Sequence, residues 1–157
     1  MKEPVVTDST CLIGLERIGH LEILPALFEP ILIPPEVQRE FGMLLPWLTV
    51  ETPTDQALVA ALKMLVDDGE AEAIALAHER GWQVILDDRR ARSVGRRLGV
   101  MIIGTVGVLV RAKRQGIIAS LKTLLSELEA HEFYVSEALK EEALRLVNES
   151  DDPPTSV

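Results

Sequence analysis

The chain has little of what many catalytic sites are built from. Among 157 residues there is one cysteine, Cys11, and there are three histidines, His20, His78 and His131. A lone cysteine excludes an internal disulfide and suits a reducing, cytoplasmic setting. Cys11 lies in the apolar run Thr10-Cys11-Leu12-Ile13, so it reads as a small buried hydrophobe rather than a nucleophile. The histidines sit in helix-like or turn contexts, and no two of them stand at metal-ligand spacing. Aromatic residues make up only 4%, so the core has to be aliphatic. No apolar run approaches the roughly 18–20 residues that span a bilayer. The stretch Val100–Val110 is interrupted by glycines and ends at Arg111. The opening Met1-Lys2-Glu3-Pro4 lacks the apolar segment of a signal peptide. A soluble, cytoplasmic protein with no membrane partner is expected.

What is present fits one domain, since compact domains most often run to about 100–150 residues. Residues 1–149 are expected to form it, with 150–157 as a flexible polar tail. The net charge of −9 disfavours indiscriminate binding to nucleic acid. The distribution matters more than the sum. Half of the sixteen basic residues fall between Arg89 and Arg114, a stretch without Asp or Glu. An acidic protein with one concentrated basic face can still hold a polyanion there.

Short apolar runs alternate with helical patterns. Val5-Val6-Thr7-Asp8, Ile31-Leu32-Ile33, Trp47-Leu48-Thr49-Val50, Val84-Ile85-Leu86-Asp87 and Val100-Met101-Ile102-Ile103 read as five strands. Helices are expected through Leu12–Ile18, capped by Ser9 or Thr10, and over Leu21–Phe28. Further helices are expected over Glu36–Phe41 after Pro35, from Asp55 through Leu65, and over Gly69–Arg80 behind Asp67-Asp68. Arg89–Leu98, a helix capped by Thr105, Ser120–Glu129 and Ser136–Glu149 complete the set. Strand–helix alternation implies an α/β fold, a parallel sheet between two helical layers. Such sheets work at the carboxyl ends of their strands.

Asp8 and the pair Asp87-Asp88 end apolar strands at that edge. Glu40 lies about two turns along the helix after the second strand, and Glu70 in the first turn of the helix after Asp67-Asp68. Convergent carboxylates repel and raise each other's pKa. A bound Mg²⁺ or Mn²⁺ relieves this, because both prefer hard oxygen ligands. It also acidifies water and polarises a phosphodiester. Each acid has an ordinary reading too: Asp8, Asp87 or Asp88 as a helix cap, Glu40 as a solvated surface glutamate, Glu70 as a partner of its helix dipole. Glu72, two residues on, points away from Glu70 and reads as a solvated face. The arginines Arg89, Arg90 and Arg92 are placed to hold phosphates. The alternative is a solvated helix face pairing with the acidic C-terminal helices.

Four blocks in this order carry a resemblance: Val-Val-Thr-Asp-Ser at 5–9, Ile-Pro-Pro-Glu-Val-Gln-Arg-Glu at 33–40, Asp-Asp-Gly-Glu-Ala-Glu-Ala-Ile-Ala-Leu-Ala at 67–77 and Val-Ile-Leu-Asp-Asp-Arg-Arg-Ala-Arg at 84–92. With the run at 102–113, they resemble the PIN-domain nucleases over residues 4 to 148. They look most like a PIN-like subgroup once labelled a domain of unknown function, related to VapC-type toxins. The resemblance implies a three-layer α/β/α fold with a central parallel sheet of about five strands. It implies a metal-dependent endoribonuclease using Mg²⁺ or Mn²⁺, with Asp8, Glu40, Glu70 and Asp87 or Asp88 as metal-binding and catalytic residues. Glu70 falls where many members have Asp. Ser9, Arg89, Arg90 and Arg92 would contact RNA. Implied partners are an RNA substrate, a small cognate antitoxin and a second copy of the chain. The alternatives are a catalytically weak PIN-like binding or regulatory module, and a phosphatase-type hydrolase. The latter is disfavoured because Gly104-Thr105-Val106-Gly107 lacks the Lys-Ser/Thr of a phosphate loop.

Overall fold

Neighbouring residues on a strand face opposite sides of a sheet. In β1 (Glu3–Thr7), Val5 joins one apolar cluster and Val6 another, and both are fully buried. The division continues in β2 (Phe28–Ile33), where Ile31 and Ile33 enter the first cluster and Leu32 the second. Strands covered on both faces read as unbroken apolar runs. The computed structural model describes residues 1–150. Of the tail expected over 150–157, residues 151–157 lie outside the described residues.

With β3 (Leu48–Val50), β4 (Gln83–Ile85) and β5 (Ile102–Ile103), the sheet has the order β3-β2-β1-β4-β5. Every pairing is parallel. Against the first cluster pack α1 (Ser9–Arg17), α2 (Ile23–Leu27), α7 (Thr105–Arg114), α8 (Leu121–Ala130) and α9 (Glu137–Leu146). Against the second pack α4 (Gln56–Leu62), α5 (Asp68–Arg80) and α6 (Arg89–Arg97). The expected three-layer α/β/α fold is therefore present. In α5 the side chains from Ala71 to Ala77 are buried except the half-buried Glu72. Its alanines keep that layer thin. α5 stops at Gly81, whose φ of 69° is the left-handed conformation that favours glycine.

Several boundaries differ from expectation for local reasons. α2 gives way at Phe28, where β2 already begins, so Pro30 lies inside a strand. The pairing of β1 with β2 is irregular between Glu3↔Phe28 and Val5↔Ile31. That irregularity accommodates a residue with no N–H to donate. α4 ends at Leu62 instead of continuing to Leu65. α1 starts at Ser9, so Asp8 takes the cap position expected of Ser9 or Thr10. Gly104, not Thr105, occupies the cap position of α7.

β1 sits in the middle. The chain moves outward from it to β2 and β3, then crosses to β4 and β5 on its other side. The carboxyl ends of β1 and β4 thus flank the point where the winding reverses, the usual place for a site in an open parallel sheet. The Asp8 amide donates to Ile85 O at 3.1 Å, extending the ladder one residue past the strand. Asp8 is fixed at that crevice.

Candidate metal centre

Asp8 is 5% exposed, and its side chain makes no capping bond to α1 although it stands in the cap position. Helix capping therefore does not account for it. Burial pushes its carboxyl up to about 7; the Ser9 amide opposes this, while Asp67, Glu40 and Asp87 add to it. A carboxylate with so little compensation is a candidate ligand.

Glu40 reaches the same place from α3 (Pro35–Phe41). A Cβ on Gly69 would collide with the Glu40 carboxylate and lie 3.5 Å from Asp8 Oδ1. Both acids therefore close over the bare backbone of α5. Glu40 is exposed, as its surface reading expects, yet partial burial of its carboxyl, then Asp67 and Glu36, push it up, and the Ser9 hydroxyl draws it back. Ser9 itself is 5% exposed, so its hydroxyl belongs to the acid cluster rather than to an open surface.

Glu70 is buried and shares a capping box with Asp67. Its amide donates to Asp67 Oδ1 at 2.8 Å, and its Oε1 accepts from the Asp67 amide at 3.2 Å. Burial raises its pKa; the Asp67 amide lowers it, and the Asp67, Asp8 and Asp88 charges raise it. Asp67 raises Asp8, Glu40 and Glu70 alike. In the sequence Asp67 reads only as a cap, yet it is the acid the others share. A signal for this exists: a helix beginning at the site's edge carries its cap residue to that edge.

The Asp87-Asp88 pair divides. Asp87 accepts from the Thr105 amide at 2.8 Å and the Thr105 hydroxyl at 2.6 Å, so it caps α7 from the end of the neighbouring strand. Burial raises its pKa, while the two Thr105 bonds and the Arg92 charge lower it. Asp88 is exposed and caps α6 through Oδ2, which accepts from the Ala91 amide at 3.0 Å. Asp87 acts on Asp8 and Asp88 on Glu70.

Arg92 turns one guanidinium nitrogen inward. Its Nη1 donates inward to Leu86 O at 3.0 Å, and it fills the space where a Cβ on Gly104 would fall. Arg90 is exposed and donates through Nε to Leu65 O at 2.6 Å. Arg89 is exposed at the start of α6. Glu72 corrects its solvated-face reading: its Oε1 accepts from the Glu36 amide at 3.1 Å. Cys11 is 1% exposed, and burial pushes its thiol up, which suits its inert reading.

The donors gathered here are all carboxylate oxygens, the chemistry a hard divalent cation selects. Among the described residues, no three acidic, histidine or cysteine groups already stand at ligand spacing. The fit therefore rests on donor type and on the convergence of Asp8, Glu40 and Glu70. Among the described residues, no helix is long and apolar enough to cross a membrane.

The chain is thus an α/β/α protein with an acidic crevice at the reversal point of its parallel sheet. A family model described as PIN domain (DUF3368) matches residues 4–149. The chain belongs to the PIN-domain family. PIN domains are generally nucleases that use divalent metal ions, so the function class is nuclease-type. Searches of curated proteins and of solved structures found no match.

Proposed function

We propose that the chain is a Mg²⁺- or Mn²⁺-dependent endoribonuclease, the toxin component of a type II toxin–antitoxin pair. The observation that carries this is the convergence of Asp8, Glu40 and Glu70, with Asp67, at the crevice between β1 and β4. Asp8, Glu40 and Glu70 would hold the metal, with Asp88 contributing its second oxygen and Asp87 fixing the β4 edge. Bound there, the ion supplies Lewis acidity and a more acidic water. Asp8, whose carboxyl burial pushes up to about 7, would hold the cation as its carboxylate, since a metal ligand has to be deprotonated. Glu40, at the more open side of the crevice, orients water.

Arg89 and Arg90 supply phosphate contacts, with the guanidinium donors of Arg92 that are not bonded to Leu86. α6 has no acid in its first turn and begins with two arginines, against the preference of a helix N-terminus for negative charge. A local rule broken beside a site suggests a functional reason. Among the described residues, the ion pairs of α8 and α9 go to His20, Lys140 and Arg145 partners rather than to α6. The small antitoxin and a second copy of the chain remain part of the proposal through the toxin likeness. A second reading, a catalytically weak binding module, is favoured by the engagement of Glu70 in its capping box.

The test is cleavage of RNA with Mn²⁺ or Mg²⁺, with EDTA, and with Asp8→Asn. Cleavage is expected only with metal and wild-type Asp8. Cleavage that survives the chelator or the variant would overturn the mechanism; bound metal without cleavage would favour the module. Co-expression with a small neighbouring open reading frame is expected to relieve toxicity.

A further inference from the structure

α3 begins with two prolines. Pro34 occupies its cap position and offers no side-chain acceptor, and Pro35 at the first helical position has no N–H. The first amide left for capping is that of Glu36. α5 supplies the acceptor: Glu72 Oε1 takes this amide at 3.1 Å. One turn further along α3, on the same face, is Glu40. One turn back along α5 from Glu72, also on the same face, is Gly69. There a Cβ would occupy the space the Glu40 carboxylate fills. The two helices are therefore registered antiparallel at two points, Glu36 against Glu72 and Glu40 against Gly69.

We propose that Glu72 and Gly69 are positioning residues that set Glu40 against Asp8: Glu72 as a cap reaching across from α5, and Gly69 as the notch that admits the Glu40 carboxylate. This rests on the metal-site reading above. Glycine in the first turn of a helix is a poorer choice than alanine for helix formation. Here the missing Cβ makes room for a functional side chain. The colliding atom is the end of a flexible glutamate, so alanine at 69 leaves the fold intact and turns Glu40 aside. Glu72 acts through its carbonyl-type oxygen, so glutamine replaces it and alanine does not. Neither residue touches substrate or metal; both act through Glu40.

The experiment measures Mn²⁺ affinity by calorimetry and Glu36 amide exchange by NMR, on the full chain. The variants are Gly69→Ala, Glu72→Ala and Glu72→Gln. Loss of a group that orients a metal ligand lowers affinity by about 10–100-fold. Gly69→Ala is expected to melt no lower than wild type, keep Glu36 protected and lose about tenfold or more in affinity. Glu72→Ala is expected to lose both Glu36 protection and affinity, and Glu72→Gln to retain both. Wild-type affinity in Gly69→Ala and Glu72→Ala would overturn the proposal. So would a Gln variant as weak as the Ala variant while Glu36 stays protected. A wild type that binds no Mn²⁺, with Glu36 protection kept by Gln and lost by Ala, would overturn the metal reading and leave the cap established.

Discussion

At the carboxyl edge of the sheet, Asp8, Glu40 and Glu70 share a crevice with little to offset their charge, and all three carboxyls are pushed upward in pKa. Beyond the far end of α7, Glu149 is treated in the opposite way. It accepts from the Leu121 amide at 2.7 Å, the Lys122 amide at 3.1 Å and the Ser120 hydroxyl at 3.2 Å. The Lys113 ammonium lies 3.4 Å away. Burial raises Glu149, but the two amides and Lys113 outweigh it and hold its carboxyl below its usual value. The same fold thus satisfies a carboxylate fully where it serves structure. At the crevice it leaves several without enough partners, an imbalance that the cation of the proposed function would relieve.

That contrast can be tested by effects of decreasing size. A divalent cation that binds the folded state alone stabilises it by about 2.7 kcal/mol at a hundred times its dissociation constant. Mn²⁺ is expected to raise the melting temperature of the wild type and to leave Asp8→Asn unmoved. An equal rise in both would end the comparison.

Next comes the metal-free protein. Asp8 has a folded pKa raised from 3.8 to about 7. Its favourable contribution is complete below the unfolded value and is lost as pH rises through the folded one. Asp8→Asn is therefore expected to stabilise the apo protein at pH 8, by roughly 2 kcal/mol after allowing for local relaxation, with little gain near pH 4. Denaturant melts in EDTA at the two pH values read this directly. A variant less stable at pH 8 would show Asp8 to be structural.

Glu149→Ala is expected to do the reverse. It removes a helix-capping acceptor and destabilises by about 1–2 kcal/mol, while cleavage per folded molecule stays at the wild-type rate. Because its folded pKa is lowered, this contribution is present at neutral pH and is lost as pH falls below about 4.5, the unfolded value. The smallest effect belongs to the arginines. Arg89→Gln with Arg90→Gln should weaken RNA binding several-fold and reduce the salt slope by about one for each phosphate no longer neutralised. An unchanged slope would remove α6 from the interface.

The sheet is legible in the sequence because strand runs such as Val84-Ile85-Leu86 are apolar on both faces and each is followed by a helix signal. Asp8 and Asp87-Asp88 are legible because they end such runs. Asp67 stays hidden as a site member because its cap role accounts for its position completely at the level of sequence. Glu72 misleads because spacing within one helix shows only that it points away from Glu70. That α3 lies in that direction, with an amide its prolines leave uncapped, is a fact of tertiary packing. The inward bond of Arg92 is hidden for the same reason: the space beside Gly104 that its Nη1 fills exists only once α7 is docked.

The position of β1 has a consequence for the order of assembly. It is the first strand of the sheet to leave the ribosome and the middle strand of the finished sheet, so Val6 waits for Val84 before its second edge is covered. Contacts so far apart in sequence close late and slowly. Asp8 and Glu40 are synthesised early, but the crevice has no second wall until β4 has been made and paired. A fragment ending before residue 83 would leave the β4-facing edge of β1, next to Asp8, uncovered and open to pairing with other chains. Synthesis itself therefore delays assembly of the acidic crevice until β4 exists.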